Sequence, residues 1–341
     1  MKTVFVVLGT LINFVNADTF SDFEKEYEKS YEDDYEIEDA KQSYDMNCAF
    51  IAIINSRSGQ RYKLGLNEFA DKGFDKFKEE SLGAKSPSSS SDRGNKVTFS
   101  SNSNSNIQLI QAEGGIGNYT PVTAPPAVDY RNYSLAILNQ KNCGSCWAFT
   151  ALGVLESRMT ILNPLYNTVL SEQYLLDCDT RDYACNGGWP MNALNWIFQS
   201  GGNSVPAMTS YQYFGFKTKC RTVTKIPMNI IATIQNYTAG NEGTMKQIVA
   251  NVGPVAVVVS VTSFFQLYKT GIFYDATCNS NCGSVNHAVI IVGYGTDPVT
   301  NLDYWIVKNS WGASWGQGGY GFMSRNRGNN CNIACYAMYA L

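Results

Sequence analysis

Gln140-Lys141-Asn142-Cys143-Gly144-Ser145-Cys146-Trp147-Ala148-Phe149 is the stretch from which the rest of the chain can be read. Trp147 to about Leu162 predicts a helix: Phe149, Leu152, Leu155 and Met159 share one face, and Pro164 stops the run. Cys146 therefore stands where that helix begins, among unpaired backbone N–H groups and at the positive end of the dipole, where an anion is favoured. The thiolate is the reactive form of cysteine, so this position predicts a nucleophile.

The chain has a single histidine, His287. Any histidine base must be this one, and metal sites built on two or three imidazoles are excluded. A lone histidine is more often structural than catalytic; here its company decides otherwise. It lies 141 residues after Cys146, inside the window of about 130–150 in which a spatially adjacent histidine follows such a cysteine. Asn309, in Lys308-Asn309-Ser310-Trp311-Gly312, offers an acceptor that would fix the orientation of the imidazole.

Composition bounds what surrounds this core. The chain has 341 residues, 44% hydrophobic and 16% charged, which reads as a soluble globular protein long enough for more than one folding unit. A net charge of -3 gives no footprint for nucleic acid or for an anionic membrane, so partners must be read from a site. Met1-Lys2, the apolar run Val4 to Val15 and the small residues around Val15-Asn16-Ala17 read as a secretory signal cleaved after Ala17. A membrane span would need about 20 unbroken apolar residues, and none is present.

A secretory route makes the ten cysteines informative, because disulfides persist in oxidising compartments. Cys48 lies in a charged N-terminal region. The other nine are Cys143, Cys146, Cys178, Cys185, Cys220, Cys278, Cys282, Cys331 and Cys335. If eight of them pair, one thiol is left over as a reactive-site candidate.

From Phe20 to about Glu80 the chain is charged and helical in period, with Phe23, Tyr27 and Tyr31 at four-residue spacing and Tyr44, Cys48, Ile51 and Ile54 at four and three. Carboxylates far outnumber lysines between Asp22 and Asp45, the usual mark of a solvated helix face. Ser81 to Asn106 is rich in serine and asparagine and reads as a flexible, cuttable linker. From Pro125-Pro126-Ala127-Val128-Asp129 onward the sequence turns aromatic, apolar and cysteine-bearing. Val255 to Val261, Val289 to Val292 and Tyr304 to Val307 predict strands, so a helical half followed by a strand-rich half predicts α+β architecture.

Three blocks occur in order: Cys143-Gly144-Ser145-Cys146-Trp147, then Asn286-His287-Ala288 ahead of Val292-Gly293-Tyr294-Gly295, then Asn309-Ser310-Trp311 with Trp315. With them the chain resembles the papain family, the cathepsin-type cysteine proteases. Gly65-Leu66-Asn67-Glu68-Phe69-Ala70-Asp71 is similar to the family's Gly-x-Asn-x-Phe-x-Asp pro-segment pattern. Glu36, Tyr44, Asn47, Ile51 and Asn55 follow the spacing of its helical signature, with Ala40 where an arginine is usual and Tyr44 for a phenylalanine. The resemblance implies a papain-like two-domain fold: a helical half, an antiparallel β-barrel-like half, a cleft between them and a helical pro-segment in front. It implies a signal peptide over 1–17, an inhibitory pro-segment over 18–80, a Ser/Asn-rich linker and pro-segment end over 81–123, and the mature peptidase over 124–341.

The resemblance also implies roles. Cys146 would be nucleophile, His287 its base and Asn309 the orienting group. Gln140 would stabilise the oxyanion with the Cys146 N–H, a donor whose loss typically raises the barrier by about 2.7–4 kcal/mol. Trp311 would shield the His287–Asn309 bond. Gly187 and Gly188 would pair with an extended substrate backbone, while Trp189, Pro190, Val258, Val285 and Ala288 line an apolar pocket. The floor of that pocket falls at about Tyr336, which would narrow it toward small or medium apolar side chains. Implied disulfides are Cys143–Cys185 and Cys178–Cys220, with two more among Cys278, Cys282, Cys331 and Cys335 whose pairing stays open. Cys146 is then the free thiol.

No metal or organic cofactor is implied. The partners are protein or peptide substrates and the chain's own pro-segment as inhibitor; the enzyme would be a monomeric endopeptidase, since one histidine cannot build a His-His occluding loop. Its place would be the lysosome or vacuole, or outside the cell. Protonation of the acidic cluster would weaken pro-segment docking, so activation should be fastest near pH 4–5. Asn118, Asn132 and Asn236 begin N-glycosylation sequons. Two other readings compete. A thioredoxin-like use of Cys143 and Cys146 needs a βαβ context and leaves Gln140, His287 and Asn309 unexplained. A catalytically dead homologue has no reason to retain all four residues.

Overall fold

The computed structural model describes residues 19–85, 123–228, 234–237 and 240–341. The expected signal peptide, the Asn118 sequon and most of the Ser/Asn-rich linker lie outside them. Among the described residues no helix is long and apolar enough to cross a membrane.

The N-terminal unit opens with α1 (Phe20–Glu26), whose Thr19 and Asp22 form a reciprocal capping box. The Phe23, Tyr27 and Tyr31 spacing does not continue as one helix: α1 stops at Glu26, and Glu28 turns the chain with φ 49°. The rings instead pack on their neighbours, Phe23 on Tyr44 at 5.0 Å and Tyr31 on Phe20 at 6.0 Å. The long α2 (Asp34–Asn55) is capped by Asp33, which accepts from the Glu36 N–H at 2.8 Å. Tyr44, Ile51 and Ile54 point inward. Asn47 donates to the Ala70 and Lys72 carbonyls, and Asn55 makes two bonds to Leu64 in β1 (Tyr62–Leu64). The signature asparagines thus fasten the helix to the strand and turn that follow. Helix α3 (Phe74–Ser81) buries Phe77 completely.

The second unit begins with β2 (Val128–Asp129), followed by α4 (Cys146–Leu162), α5 (Glu172–Cys178) and α6 (Pro190–Gln199). Pro190 sits at the first turn of α6, where its missing N–H is not needed. The expected single apolar face of α4 is exceeded. Ala148, Thr150, Ala151 and Val154 are buried as well, because the helix runs between its fellow helices and the sheet. At Gly153 a side chain would collide with the end of the Ile290 side chain, which packs there directly on the helix.

After the short β3 (Ser204–Val205) and β4 (Ile226–Pro227) come β5 (Ile234–Tyr237), α7 (Glu242–Asn251), β6 (Val255–Val259), α8 (Ser263–Gln266), β7 (Tyr268–Phe273), β8 (His287–Thr296), β9 (Asp303–Lys308), β10 (Tyr320–Ser324) and β11 (Ala337–Ala340). The main sheet has nine strands in the order β1-β7-β10-β9-β8-β6-β11-β5, with β2 on β8. The α+β expectation holds: every pairing in this sheet is antiparallel except the two-residue parallel contact of β7 with β10, and the sheet does not close into a barrel among the described strands. The reason lies at the edges, where β1 of the N-terminal unit covers β7 and β5 ends the other side.

The β-branched runs read as continuous because both faces of the sheet are covered. Val255, Val257, Val259, Val289 and Ile291 belong to one core with the tryptophans Trp305, Trp311 and Trp315. Ala256, Val258, Ala288, Ile290 and Val292 belong to the other, with the helices. Four disulfides tie the fold: Cys143–Cys185, Cys178–Cys220, Cys278–Cys331 and Cys282–Cys335. The last two resolve the pairing that spacing left open, and Cys146 is outside every disulfide.

Candidate active site

The helical half presents Cys146 as the first residue of α4. The turn before it is held from several sides. Gly144 N–H donates to the Cys185 carbonyl at 3.0 Å, Cys143 is disulfide-bonded to Cys185, and the Trp147 indole donates to the Ala184 carbonyl at 3.0 Å. The strand-rich half presents His287 as the first residue of β8, paired across to Val259. Asn309 follows the end of β9, and its N–H is fixed by the Gly319 carbonyl.

The Asn309 side-chain oxygen accepts from the Ser310 N–H at 2.8 Å and lies 2.8 Å from His287 Nε2. Because that oxygen can only accept, the ring proton is assigned to Nε2. Nδ1 is then a buried lone pair without a hydrogen-bond partner among the described groups. The next residue, Ala288, directs its backbone N–H at the Cys146 sulfur, as do Gly83, Trp147 and Cys146 itself. The Trp311 indole stacks on the imidazole with centroids 4.4 Å apart, and Phe69, Phe77, Phe265 and Trp315 pack round that indole.

Gln140 lies beside this pair. Its amide nitrogen donates to the Ser81 and Cys143 carbonyls, both at 2.8 Å, and its oxygen accepts from Ser310 Oγ at 2.7 Å. The Ser310 hydroxyl thus fixes which end of the carboxamide faces the cleft. Sequence reading did not single out Ser310, although its place after Asn309 was a usable signal. It also missed Tyr213, whose hydroxyl donates to the Gln140 carbonyl and meets Ser145 Oγ. Nor did it find Asp182, which accepts from the Trp189 N–H at 2.9 Å and so shapes the Gly187–Gly188 turn.

The N-terminal unit runs through the cleft. Gly188 N–H donates to the Gly83 carbonyl at 2.8 Å and the Gly188 carbonyl accepts from Lys85 N–H at 2.9 Å, a parallel bridge centred on Ala84. Ala84 N–H donates to the Asn286 carbonyl at 3.0 Å. Any side chain at Gly83 would overlap the Gly144 carbonyl, so glycine is required where the chain crosses the sulfur. Residues 81–85 are therefore docked, unlike the flexible linker expected from Ser81 onward, because their backbone groups are taken by the cleft. Behind them Glu68 accepts from Asn139 Nδ2 at 2.9 Å and Ser314 Oγ at 3.1 Å, and Asn67 donates to the Gln266 carbonyl at 2.8 Å. Within the acidic run, Glu36 and Asp39 pair with Lys76 inside the N-terminal unit, so it is Glu68 that supplies a carboxylate across to the second unit.

This covering reverses the electrostatics expected of the dyad. Cys146 and His287 are fully buried. Burial pushes the thiol up to about 11 despite the four N–H groups aimed at it, and pushes the imidazole down to about 4 against the pull of the Asn309 bond. With the N-terminal unit in place the pair is neutral at pH 7, a thiol beside an imidazole, because neither charge is solvated.

Trp189, Val258 and Ala288 are buried in one apolar cluster with Ala84, Val285 and Tyr336 pack against that cluster, and Pro190 is buried at the head of α6. The Tyr336 ring meets that of Trp189 edge-on at 5.2 Å. Of the sequons, Asn132 is exposed and Asn236 is partly exposed in β5.

A family model described as papain family cysteine protease matches residues 124–341, and one described as cathepsin propeptide inhibitor domain matches residues 20–77. A cathepsin L of Sarcophaga peregrina is 34% identical over 361 aligned residues, which cover 99% of either chain. A cathepsin K of Mus musculus is 33% identical over 82% of this chain and 78% of its own length. Among solved structures, digestive procathepsin L 3 of Tenebrio molitor larval midgut superposes with a TM-score of 0.77 at 29% identity, covering 95% of this chain and 98% of that one. The recombinant stem bromelain precursor gives 0.76 at 30% identity over 94% and 97%.

Proposed function

Since the chain belongs to the papain family of cysteine proteases and carries a cathepsin propeptide inhibitor domain ahead of its peptidase domain, we propose that Cys146, His287, Asn309 and Gln140 carry its chemistry. The protein is the zymogen of a cysteine endopeptidase, a hydrolase. The observation that most supports the assignment is the His287 Nε2–Asn309 bond, which leaves the Nδ1 lone pair without a partner while the next residue, Ala288, directs its N–H at the Cys146 sulfur.

The chemistry follows from those positions. Once the pro-segment leaves, water and the α4 terminus stabilise a charge-separated pair, and the thiol proton passes to Nδ1. The thiolate attacks the scissile carbonyl carbon, and its oxygen becomes an oxyanion that accepts from the Cys146 N–H and the Gln140 amide. In the zymogen that amide is occupied by the Ser81 carbonyl. His287 then gives the Nδ1 proton to the leaving amine, and a thioester remains. Water, losing a proton to Nδ1, attacks the thioester and releases the acid. Asn309 keeps the imidazole in register throughout, and Trp311 keeps water from their bond. Gly187 and Gly188 hold the substrate backbone, beside the pocket of Trp189, Pro190, Val258, Val285 and Ala288.

The domain limits follow the same reading: a signal peptide over 1–17, a pro-segment over 18–80 that ends through 81–123, and a monomeric mature enzyme over 124–341. It acts on protein and peptide substrates in the lysosome or vacuole or outside the cell, with glycans on Asn118, Asn132 and Asn236. The test is direct. Acid-processed protein should hydrolyse a peptide substrate and take up one equivalent of a papain-type epoxide on Cys146, seen by mass spectrometry. An adduct elsewhere, or hydrolysis that persists after alkylation, contradicts the assignment.

Acid should trigger processing, and the dyad is not what senses it. The docked pair holds one proton, on sulfur; the released pair also holds one, on nitrogen; equal proton counts give no pH dependence. Docking itself leans on Glu68, whose carboxylate accepts from Asn139 Nδ2 and Ser314 Oγ across to the second unit. Processing at pH 4.5 is expected to outpace that at pH 7 by about tenfold or more, the effect of losing roughly 1.4 kcal/mol of docking. Glu68→Ala, which removes that acceptor, should speed processing at pH 7. Equal rates for the wild type at the two pH values contradict this.

A further inference from the structure

We propose that Asp182, sharing one proton with Asp179, is a positioning residue that holds Gly187 and Gly188 in the shape that grips a substrate backbone, and that the grip loosens when this proton is lost. The proposal rests on the catalytic reading above and adds a proton-controlled positioning group to that site.

Both carboxyls lie in the turn between α5 and Gly188. Asp179 is the C-cap of α5 and 3% exposed; Asp182 is 7% exposed. Asp182 Oδ1 accepts from the Trp189 N–H at 2.9 Å and from Asn192 Nδ2 at 3.3 Å, which ties the turn to the head of α6. Asp179 Oδ1 accepts from the Arg181 N–H at 2.7 Å. The other oxygen of each, Oδ2, is buried and faces no N–H donor among the described groups. The two side chains hydrogen-bond to each other. Two carboxyls cannot pair without a hydrogen between them, so one keeps its proton. Burial, and after it the Asp179 charge, push Asp182 up to about 8.

The surrounding charges do not replace that proton. Arg181 acts on Asp179, but its guanidinium donates to the Gln199 side chain at 2.6 Å. Helix α6 faces the pair with the amides Asn192 and Gln199. The Asp177 carboxylate in α5 is taken by Gln173, Tyr211 and Thr218. Tyr183 is exposed, and Lys85, which lies against Gly187 in the zymogen, leaves with the pro-segment.

The Asp182 carboxyl bears directly on the backbone that holds substrate. At Gly188 a side chain would meet its Cγ at 2.7 Å. The Tyr183 N–H closes the turn onto the Gly187 carbonyl at 2.9 Å, with Gly187 at φ 106°, a conformation that suits glycine. Gly188 then offers the cleft the N–H and carbonyl that hold Gly83 and Lys85 in the zymogen. Loss of the proton sets two negative charges side by side in a buried turn, and opening to water relieves them. Opened, Asp182 titrates in the ordinary range near about 3.9; closed, near about 8. The closed turn is therefore fully favoured below about pH 4 and loses up to about tenfold per pH unit as the pH rises toward 8.

The test uses acid-processed enzyme, its active fraction counted by epoxide titration, on a fluorogenic peptide amide whose slow acylation makes KM a measure of binding. In the wild type KM is expected to rise about tenfold from pH 5.5 to 7.5, within the roughly hundredfold that one linked proton allows over that range. Asp182→Asn imitates the protonated acid, with an oxygen for the Trp189 N–H and an amide N–H for Asp179, and has no proton to lose. Its KM should vary by less than about twofold over the range and fall below that of the wild type at pH 7.5. The pH course of kcat, which Cys146 and His287 set, should not separate the two enzymes. Asp182→Ala should show a raised KM at every pH. If Asp182→Asn does not fold, Asp179→Asn, which removes the second carboxylate, should flatten the KM profile in the same way. A wild-type KM that stays level from pH 5.5 to 7.5 overturns the proposal, and so does an Asp182→Asn enzyme whose KM climbs as the wild type's does. Enzyme that takes up no epoxide and cleaves no peptide contradicts the catalytic reading instead, and the proposal falls with it.

Discussion

With its pro-segment in place, the protein should react with a thiol-alkylating epoxide at pH 6.5 about 10³-fold more slowly than after acid processing, as expected if roughly 4 kcal/mol of docking must be overcome to open the cleft. Two features act together. The sulfur is fully buried, with Gly83 N–H against it. It is also protonated, because burial raises the thiol to about 11. Protonation alone is a weak shield, since a less acidic thiol makes a more nucleophilic thiolate. Steric cover has no such offset. Timed alkylation with quantitation of the Cys146 peptide reads the ratio. Replacing Gly83 by alanine, whose methyl would overlap the Gly144 carbonyl, should raise the zymogen's rate toward that of the processed form. A zymogen as reactive as processed enzyme contradicts the covering role of residues 81–85.

Replacing the nucleophile or its base should have a still larger effect. Cys146→Ala and His287→Ala are each expected to lower kcat by about 10⁴–10⁶, the range seen when one member of a nucleophile–base unit is removed. The two losses should not add, because neither group acts without the other. Cys146→Ala leaves the rest of the site untouched and should fold normally. It should also remain uncut by itself at acid pH while serving as a substrate for added active enzyme, which separates a chemical defect from a folding one. Hydrolysis by either variant within tenfold of the wild type contradicts the assignment.

Much of this was legible in the sequence because papain-type chemistry concentrates in short stretches. Cys146 at a helix start, one histidine at the right separation and Asn309 beside Trp311 are local patterns, and the structure brings all three to the seam between helices and sheet. The strands β6, β8 and β9 were legible from β-branched runs. Local patterns miss what depends on contacts across the chain. The Phe23, Tyr27 and Tyr31 spacing looked like one helix, yet the aromatic rings gain more by packing around Tyr44 than by continuing α1. The open, mixed sheet depends on an edge strand from the N-terminal unit, which no reading of the second unit alone contains.

The buried trio Glu156, Glu172 and Lys308, around a cavity of about 20 Å³ beside Asn309, joins residues far apart in sequence. Burial raises both carboxyls, and Glu156 reaches about 7. The neutral dyad was also illegible, since its pKa values depend on a covering segment rather than on the motif.

The most direct test of the account is the pH profile of Cys146 alkylation in processed enzyme, measured beside His287→Ala. A thiolate held by imidazolium predicts a fast plateau that persists well below pH 6 in the wild type and, in the variant, is replaced by a rise only as the pH approaches the ordinary thiol range near 8.5. If the two profiles coincide, His287 does not ionise the sulfur, and the proposed mechanism is wrong.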